Sequence, residues 1–149
     1  MEEIEQTENR EVEIIGNIES YYVIDVSRLK ILNRSLDGML ESRCPGYKDY
    51  LKAKKRETND NDLLKAATNA CANMEAFIRP DLPIQDIVFR SLIRVGNKVT
   101  SLSYLHEEVT DKWYTPSNPR SLSVKDLKRV LDSDTYYGFL EVEAPSKKT

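Results

Sequence analysis

Ser101-Leu-Ser-Tyr-Leu-His-Glu-Glu-Val109 and, past a break holding Pro116 and Pro119, Ser123-Val-Lys-Asp-Leu-Lys-Arg-Val-Leu131 decide how the second half of this chain folds. Each stretch opens on a serine, a preferred helix N-cap because its hydroxyl accepts from a backbone N–H one turn into the helix. In the first, Leu102, Leu105, Val109 and Trp113 recur at helical spacing and predict one inward face. In the second, Leu122 before the cap and Leu127 inside the helix form a hydrophobic staple. Asp126 holds the place of the acidic partner in a capping box, where Glu or Gln is usual. Val124, Leu127, Val130 and Leu131 are its expected buried stripe, and Asp132-Ser133-Asp134 closes it.

Outward from these two segments the pattern continues. Upstream, Ile87-Val-Phe-Arg-Ser-Leu-Ile-Arg-Val-Gly96 is entered by Pro83, which suits the first turn of a helix, and left by Gly96, which suits its end. Ile84, Ile87, Val88 and Leu92 make one apolar stripe, and Phe89 with Ile93 makes a second. A helix apolar on two sides needs two partners, here its own domain and the N-terminal half. Lys98-Val99-Thr100 predicts a brief strand, and Tyr114 to Arg120 a loop. Tyr136-Tyr-Gly-Phe-Leu-Glu-Val142 ends in the alternation of a half-buried strand. That strand has two possible neighbours, Lys98-Val99-Thr100 or an N-terminal strand near Tyr22.

The N-terminal half is less patterned. Residues 1–12 carry five glutamates against Arg10 and read as an acidic flexible tail. Ser20 to Val26 is aromatic and β-branched, as a strand requires. Ser27 is the expected cap of a following helix, and Ser35 that of a second, which Cys44-Pro45-Gly46 ends. A lysine-rich run, Lys48 to Arg56, holds Tyr47 and Tyr50 at its start. It reads as a solvated segment or, since aromatics stack on bases, as a basic nucleic-acid patch. Asp62 to Ile78 predicts one amphipathic helix, with Cys71 a core thiol, and Arg79 to Pro83 a linker.

Helix, short strand, helix, loop, helix, strand is an order that resembles the winged-helix (helix-turn-helix) superfamily over residues 82–143. The likeness lies in apolar positions and caps and identifies no particular family. The expected fold is α+β and mostly α, with an N-terminal strand and helices packed on a C-terminal winged-helix domain. Its parts are the tail (1–12), the strand-and-helix region (13–79), the winged-helix-like domain (80–143) and a flexible end (144–149). Two features depart from the resemblance. The loop before the third helix is long for a helix-turn-helix, and no Asn-Gly or Asp-Gly turn builds a hairpin wing.

The resemblance implies two functions. Winged helices that read DNA place the third helix in the major groove. Arg120, Ser121, Lys125, Lys128 and Arg129 are the candidate contacts for such a regulatory protein, acting as a homodimer. Against this, residues 80–149 hold ten cationic and ten anionic side chains, and the whole chain has a net charge of -3. Phosphate neutralisation dominates non-specific DNA affinity, so a neutral domain binds weakly. The other reading is a protein-docking module, with Trp113, Tyr114, Tyr136 and Tyr137 as candidate interface residues.

Enzymatic chemistry finds no foothold. The sequence has no glycine-rich phosphate loop, serine elbow or metal-binding histidine pair, and His106 is its sole histidine. No cofactor or metal is expected. Two cysteines are too few for a secreted disulfide scaffold, and no apolar run reaches the ~18 residues of a membrane span. A cytoplasmic protein with free thiols and no membrane role is the expectation.

Overall fold

The computed structural model describes residues 19–54, 59–112 and 121–145. Three strands form one antiparallel sheet: β1 (Tyr21–Ile24), β2 (Thr100–Ser101) and β3 (Phe139–Val142). The N-terminal strand is the middle one, in the order β2-β1-β3. The C-terminal strand therefore takes the second of its two possible partners. Tyr22 lies opposite Thr100 on one side and Glu141 on the other, and Ile24 lies opposite Phe139. β2 is too short to reach Ile24, and a side chain completes its edge. The Asn97 Oδ1 accepts from the Ile24 N–H at 2.8 Å, while its Nδ2 donates to the Ile24 carbonyl at 2.9 Å. Asn97 has φ 57°, a left-handed conformation that asparagine tolerates better than most residues.

The remainder is mostly helical. Helices α1 (Val26–Ile31), α2 (Leu36–Arg43), α3 (Tyr47–Lys54) and α4 (Asp60–Cys71) come first, then a 3₁₀ turn at Glu75–Phe77. Next are α5 (Ile84–Arg94), α6 (Leu102–Glu107), which runs on as a π turn at Glu108–Lys112, and α7 (Val124–Asp132). As the two apolar stripes require, every residue of α5 from Asp86 to Ile93 is buried. It packs against α4, β1 and the π turn. One apolar cluster runs from Tyr22 and Leu29 through α5 to Leu127, Leu131 and Phe139.

Caps follow local chemistry closely. The hydroxyls of Ser35, Ser101 and Ser123 accept from the N–H groups of Gly38, Tyr104 and Asp126. Asp126 does not return the bond in the manner of a capping box, because its carboxylate is turned to Arg129 at 2.8 Å. Four expectations need correction. Asp25, two residues earlier than expected, caps α1, and Ser27 lies inside the helix. α4 stops at Cys71, and Phe77 and Ile78 reach the core through the 3₁₀ turn instead of through a longer helix. Val124 is 40% exposed, since Leu127 and Leu131 already fill the inner face of α7. Cys44 and Cys71 are joined as a disulfide, both buried, rather than being free thiols.

The turn between α7 and β3 is organised by one carboxylate. Asp134 Oδ1 accepts from the backbone N–H groups of Tyr136 and Tyr137 at 3.0 and 2.8 Å, and Oδ2 from those of Gly138 and Phe139 at 2.8 and 3.2 Å. Gly138 then meets α1 at close range. Its φ is +82°, and a Cβ there would come within 2.8 Å of Leu29 Cγ and 3.2 Å of the Asp25 carbonyl oxygen. Gly96 is also left-handed, at φ +75°, but has open space around it. Gly138→Ala is therefore expected to combine backbone strain with overpacking, costing roughly 2–4 kcal/mol. Gly96→Ala should cost only the strain, about 1–2 kcal/mol. Urea unfolding midpoints measure both, and equal costs would contradict the close approach to Leu29.

The disulfide closes a loop with a sequence separation of 27. Replacing both cysteines by alanine should lower the unfolding free energy by roughly 3–4 kcal/mol, chiefly through the greater freedom of the unfolded chain. Chemical denaturation with and without reductant checks this, the alanine variant being insensitive to reductant.

Candidate interaction site

The outward face of α7 carries the residues expected to meet DNA. Ser121, Lys125 and Arg129 are exposed, while Arg120 lies outside the described residues, as do Trp113 and Tyr114. The cations on this face stand among carboxylates. The Lys128 ammonium donates to Glu141 at 2.8 Å, to Asp132 at 3.0 Å and to the Tyr22 hydroxyl at 3.1 Å. The Tyr22 hydroxyl in turn donates to Asp132 at 2.6 Å. Arg129 pairs with Asp126 one turn away. Among the described residues, Lys125, Lys128 and Arg129 against Asp126, Asp132 and Glu141 leave a net charge of zero on the face. Glu141 and Tyr22 belong to other strands, so this neutrality comes from tertiary placement.

The other sequence candidates are placed as follows. Tyr137 is half-buried, its ring stacked on Phe139 at 5.4 Å and tilted against Phe89 at 5.5 Å. It serves the edge of the core. Tyr136 is half-buried beside it, with the Arg34 guanidinium 4.2 Å over its ring. In the lysine-rich run, Tyr47 is fully buried and donates to Asp37 at 2.8 Å, so its face cannot stack on a base. Lys48 pairs with Asp37 and Glu41, and residues 55–58 lie outside the described residues. His106 Nε2 lies 2.6 Å from the Leu122 carbonyl oxygen. A carbonyl only accepts, so Nε2 donates and the ring ties α6 to the approach to α7. Among the described residues no group of three or more His, Cys, Asp or Glu side chains could hold a metal.

One cluster was not foreseen. Asp86, on the buried face of α5, accepts from Arg90 Nε at 2.8 Å and from Arg43 Nε at 3.2 Å. Arg90 Nη1 donates to the Phe77 carbonyl at 2.8 Å, and Arg43 Nη1 to the Met39 carbonyl at 3.1 Å. The Arg43 guanidinium also lies over the rings of Phe89 and Tyr137, at 5.3 and 5.6 Å. Burial works against the charge of Arg43, but Asp86, Tyr136 and Tyr137 outweigh it and raise its pKa above the usual arginine value. The spacing of Asp86 and Arg90 is a helical i, i+4 pair. Only the fold brings in Arg43, from α2, so no local pattern marks the triad.

No protein-family model, no curated protein and no solved structure matches the chain. The site therefore has to be read from its own chemistry. No helix among the described residues is long and apolar enough to cross a membrane.

Tyr22 offers a test of the network on α7. Burial, then the hydrogen bond to Asp132, pushes its pKa well above the ordinary tyrosine value. A group whose folded-state pKa is raised stabilises fully below its unfolded value, about 10 for tyrosine, and loses that contribution as pH rises through the folded value. In an ultraviolet titration the Tyr22 phenol should ionise only as the fold is lost. Tyr22→Phe should remove one late-titrating tyrosine and cost about 1–2 kcal/mol. A Tyr22 that titrates freely in the native protein would show the network to be open.

Proposed function

We propose that the chain is a protein-docking module on a winged-helix-like scaffold, without enzymatic activity. In this reading α5, α6 and α7 are the three helices, and β1 occupies the place beside β3 that the second strand of a wing hairpin would fill. The observation that carries the choice of partner is the neutral face of α7. Surface ion pairs are weak and can exchange onto phosphate. The carboxylates would nevertheless remain beside the duplex, and Asp126, Asp132 and Glu141 together would offset the attraction of Lys125, Lys128 and Arg129. A face of zero net charge on a chain of charge -3 releases few counterions, the term that supplies most non-specific affinity.

The expectation of a cytoplasmic protein came with free thiols; the Cys44–Cys71 bond points instead to an oxidising compartment, where such bonds persist.

Fluorescence anisotropy with a labelled random-sequence duplex tests the reading. The full chain should show no saturable binding up to roughly 100 µM at physiological salt, the weak end of ordinary non-specific affinity. Lys125→Glu/Lys128→Glu should leave that result unchanged. Salt-dependent binding that disappears in this variant would restore α7 as a DNA-reading helix and overturn the docking assignment.

A further inference from the structure

β3 is the outer strand of the sheet, and one of its edges faces away from β1. Backbone groups of a strand point alternately to its two sides. The Asp25 N–H donates to the Gly138 carbonyl, so in this register Leu140 and Val142 also turn their backbone groups to β1. Phe139 and Glu141 turn theirs outward, and by the same alternation so does Glu143. The Phe139 N–H is taken by Asp134. Among the described residues the Phe139 carbonyl and the N–H and carbonyl of Glu141 have no partner. An edge left open in this way is a template for pairing with another chain. The side chains on the far side of the sheet from α7 are apolar here as well. Tyr21 and Val23 are half-buried beside Val142 and Leu140, and Leu140 is 37% exposed.

We infer that this edge receives the β3 edge of a second copy of the chain, antiparallel about a two-fold axis at Glu141. A two-fold axis makes identical strands antiparallel and each patch its own partner. About that axis the open groups are self-complementary. The Glu141 N–H and carbonyl meet those of the second copy's Glu141, and each Phe139 carbonyl meets the opposite Glu143 N–H. The one outward group without a place in this ladder, the Phe139 N–H, is the one already bonded to Asp134. Neighbouring registers fit less well. A shift of two residues one way sets Glu141 against the spent Phe139 N–H. The same shift the other way sets the Phe139 carbonyl against Pro145, which has no N–H. On the apolar side, Leu140 falls opposite Val142 of the second copy, so Val23, Leu140, Val142 and Tyr21 form one continuous row across the junction, as cross-strand pairing favours. The two Glu141 carboxylates come together on the α7 side, but each is bonded to a Lys128 at 2.8 Å. Glu143 at each end adds negative charge and weakens the contact. A ladder of this length also falls short of the roughly 800 Å² per partner of a standard interface, so the dimer is a weak one.

Sedimentation of the full chain between about 10 µM and about 1 mM, spanning the weak end of the affinity scale, should show a reversible monomer–dimer equilibrium. Amide NMR signals of residues 139–143 should shift with concentration. Glu141→Pro removes an N–H that the monomer does not use, and should abolish dimerisation while circular dichroism stays native. Glu141→Gln keeps the N–H and removes the opposed charges, and should tighten the dimer about twofold to fivefold. Directly opposed residues of this kind of pair lie about 4.5 Å apart at Cα, within disulfide reach. A mixture of Leu140→Cys and Val142→Cys chains should therefore oxidise to mixed dimers in preference to either homodimer. A chain that stays monomeric throughout, or a dimer that survives Glu141→Pro, overturns the inference. Preferential linking of Leu140→Cys to itself overturns the axis at Glu141.

Discussion

The structure depends on four residues near the N-terminus lying between two strands from the far half of the chain. β2 and β3 do not touch each other, and each is held only through β1. Strands this short have no independent stability in water. Without Tyr21–Ile24 neither C-terminal strand has a backbone partner, and the side-chain clasp of Asn97 on Ile24 has nothing to grip. β1 also packs on α5, and Tyr22 reaches Asp132 at the end of α7. The helices of the second half are thus positioned against one another partly by the first half. Such pairing is highly non-local, a feature that slows folding because the loop must close before the contact rewards it.

The same insertion sets the electrostatics of α7. Considered alone, residues 120–130 carry four cations and one anion. In the fold, Glu141 of β3 and the Tyr22 hydroxyl of β1 converge on Lys128, and Asp132 completes the cage from the helix itself. Lys125, Lys128 and Arg129, which outnumber Asp126 within the segment, are matched in the fold by three carboxylates. Elsewhere two arginines from different helices divide one aspartate.

What was legible in the sequence follows the range of each interaction. Serine caps act over three residues, so Ser35, Ser101 and Ser123 could be read directly, as could the buried helix from Ile84 and the order of elements after it. The α+β, mostly helical class followed from these. Asp25 was missed as a cap because two polar residues two positions apart compete for that role, and only the backbone decides. The end of α4 was misread because Phe77 and Ile78 keep apolar spacing across a turn that leaves the helix. The disulfide, the central place of β1 and the Arg43–Asp86–Arg90 triad join residues far apart in the chain, and no local pattern marks them. Val124 was given to the core on periodicity alone, although two leucines suffice to fill that side of a short helix.

The disulfide braces the ground on which the Arg43–Asp86–Arg90 cluster stands. Cys44 follows Arg43 directly, and Cys71 ends the helix from which the chain runs on to Met74, Ala76 and Phe77. The bond thus clamps the two segments at their bases. Relative movement of these two segments is restrained covalently, and the entropy of ordering them is lost in folding.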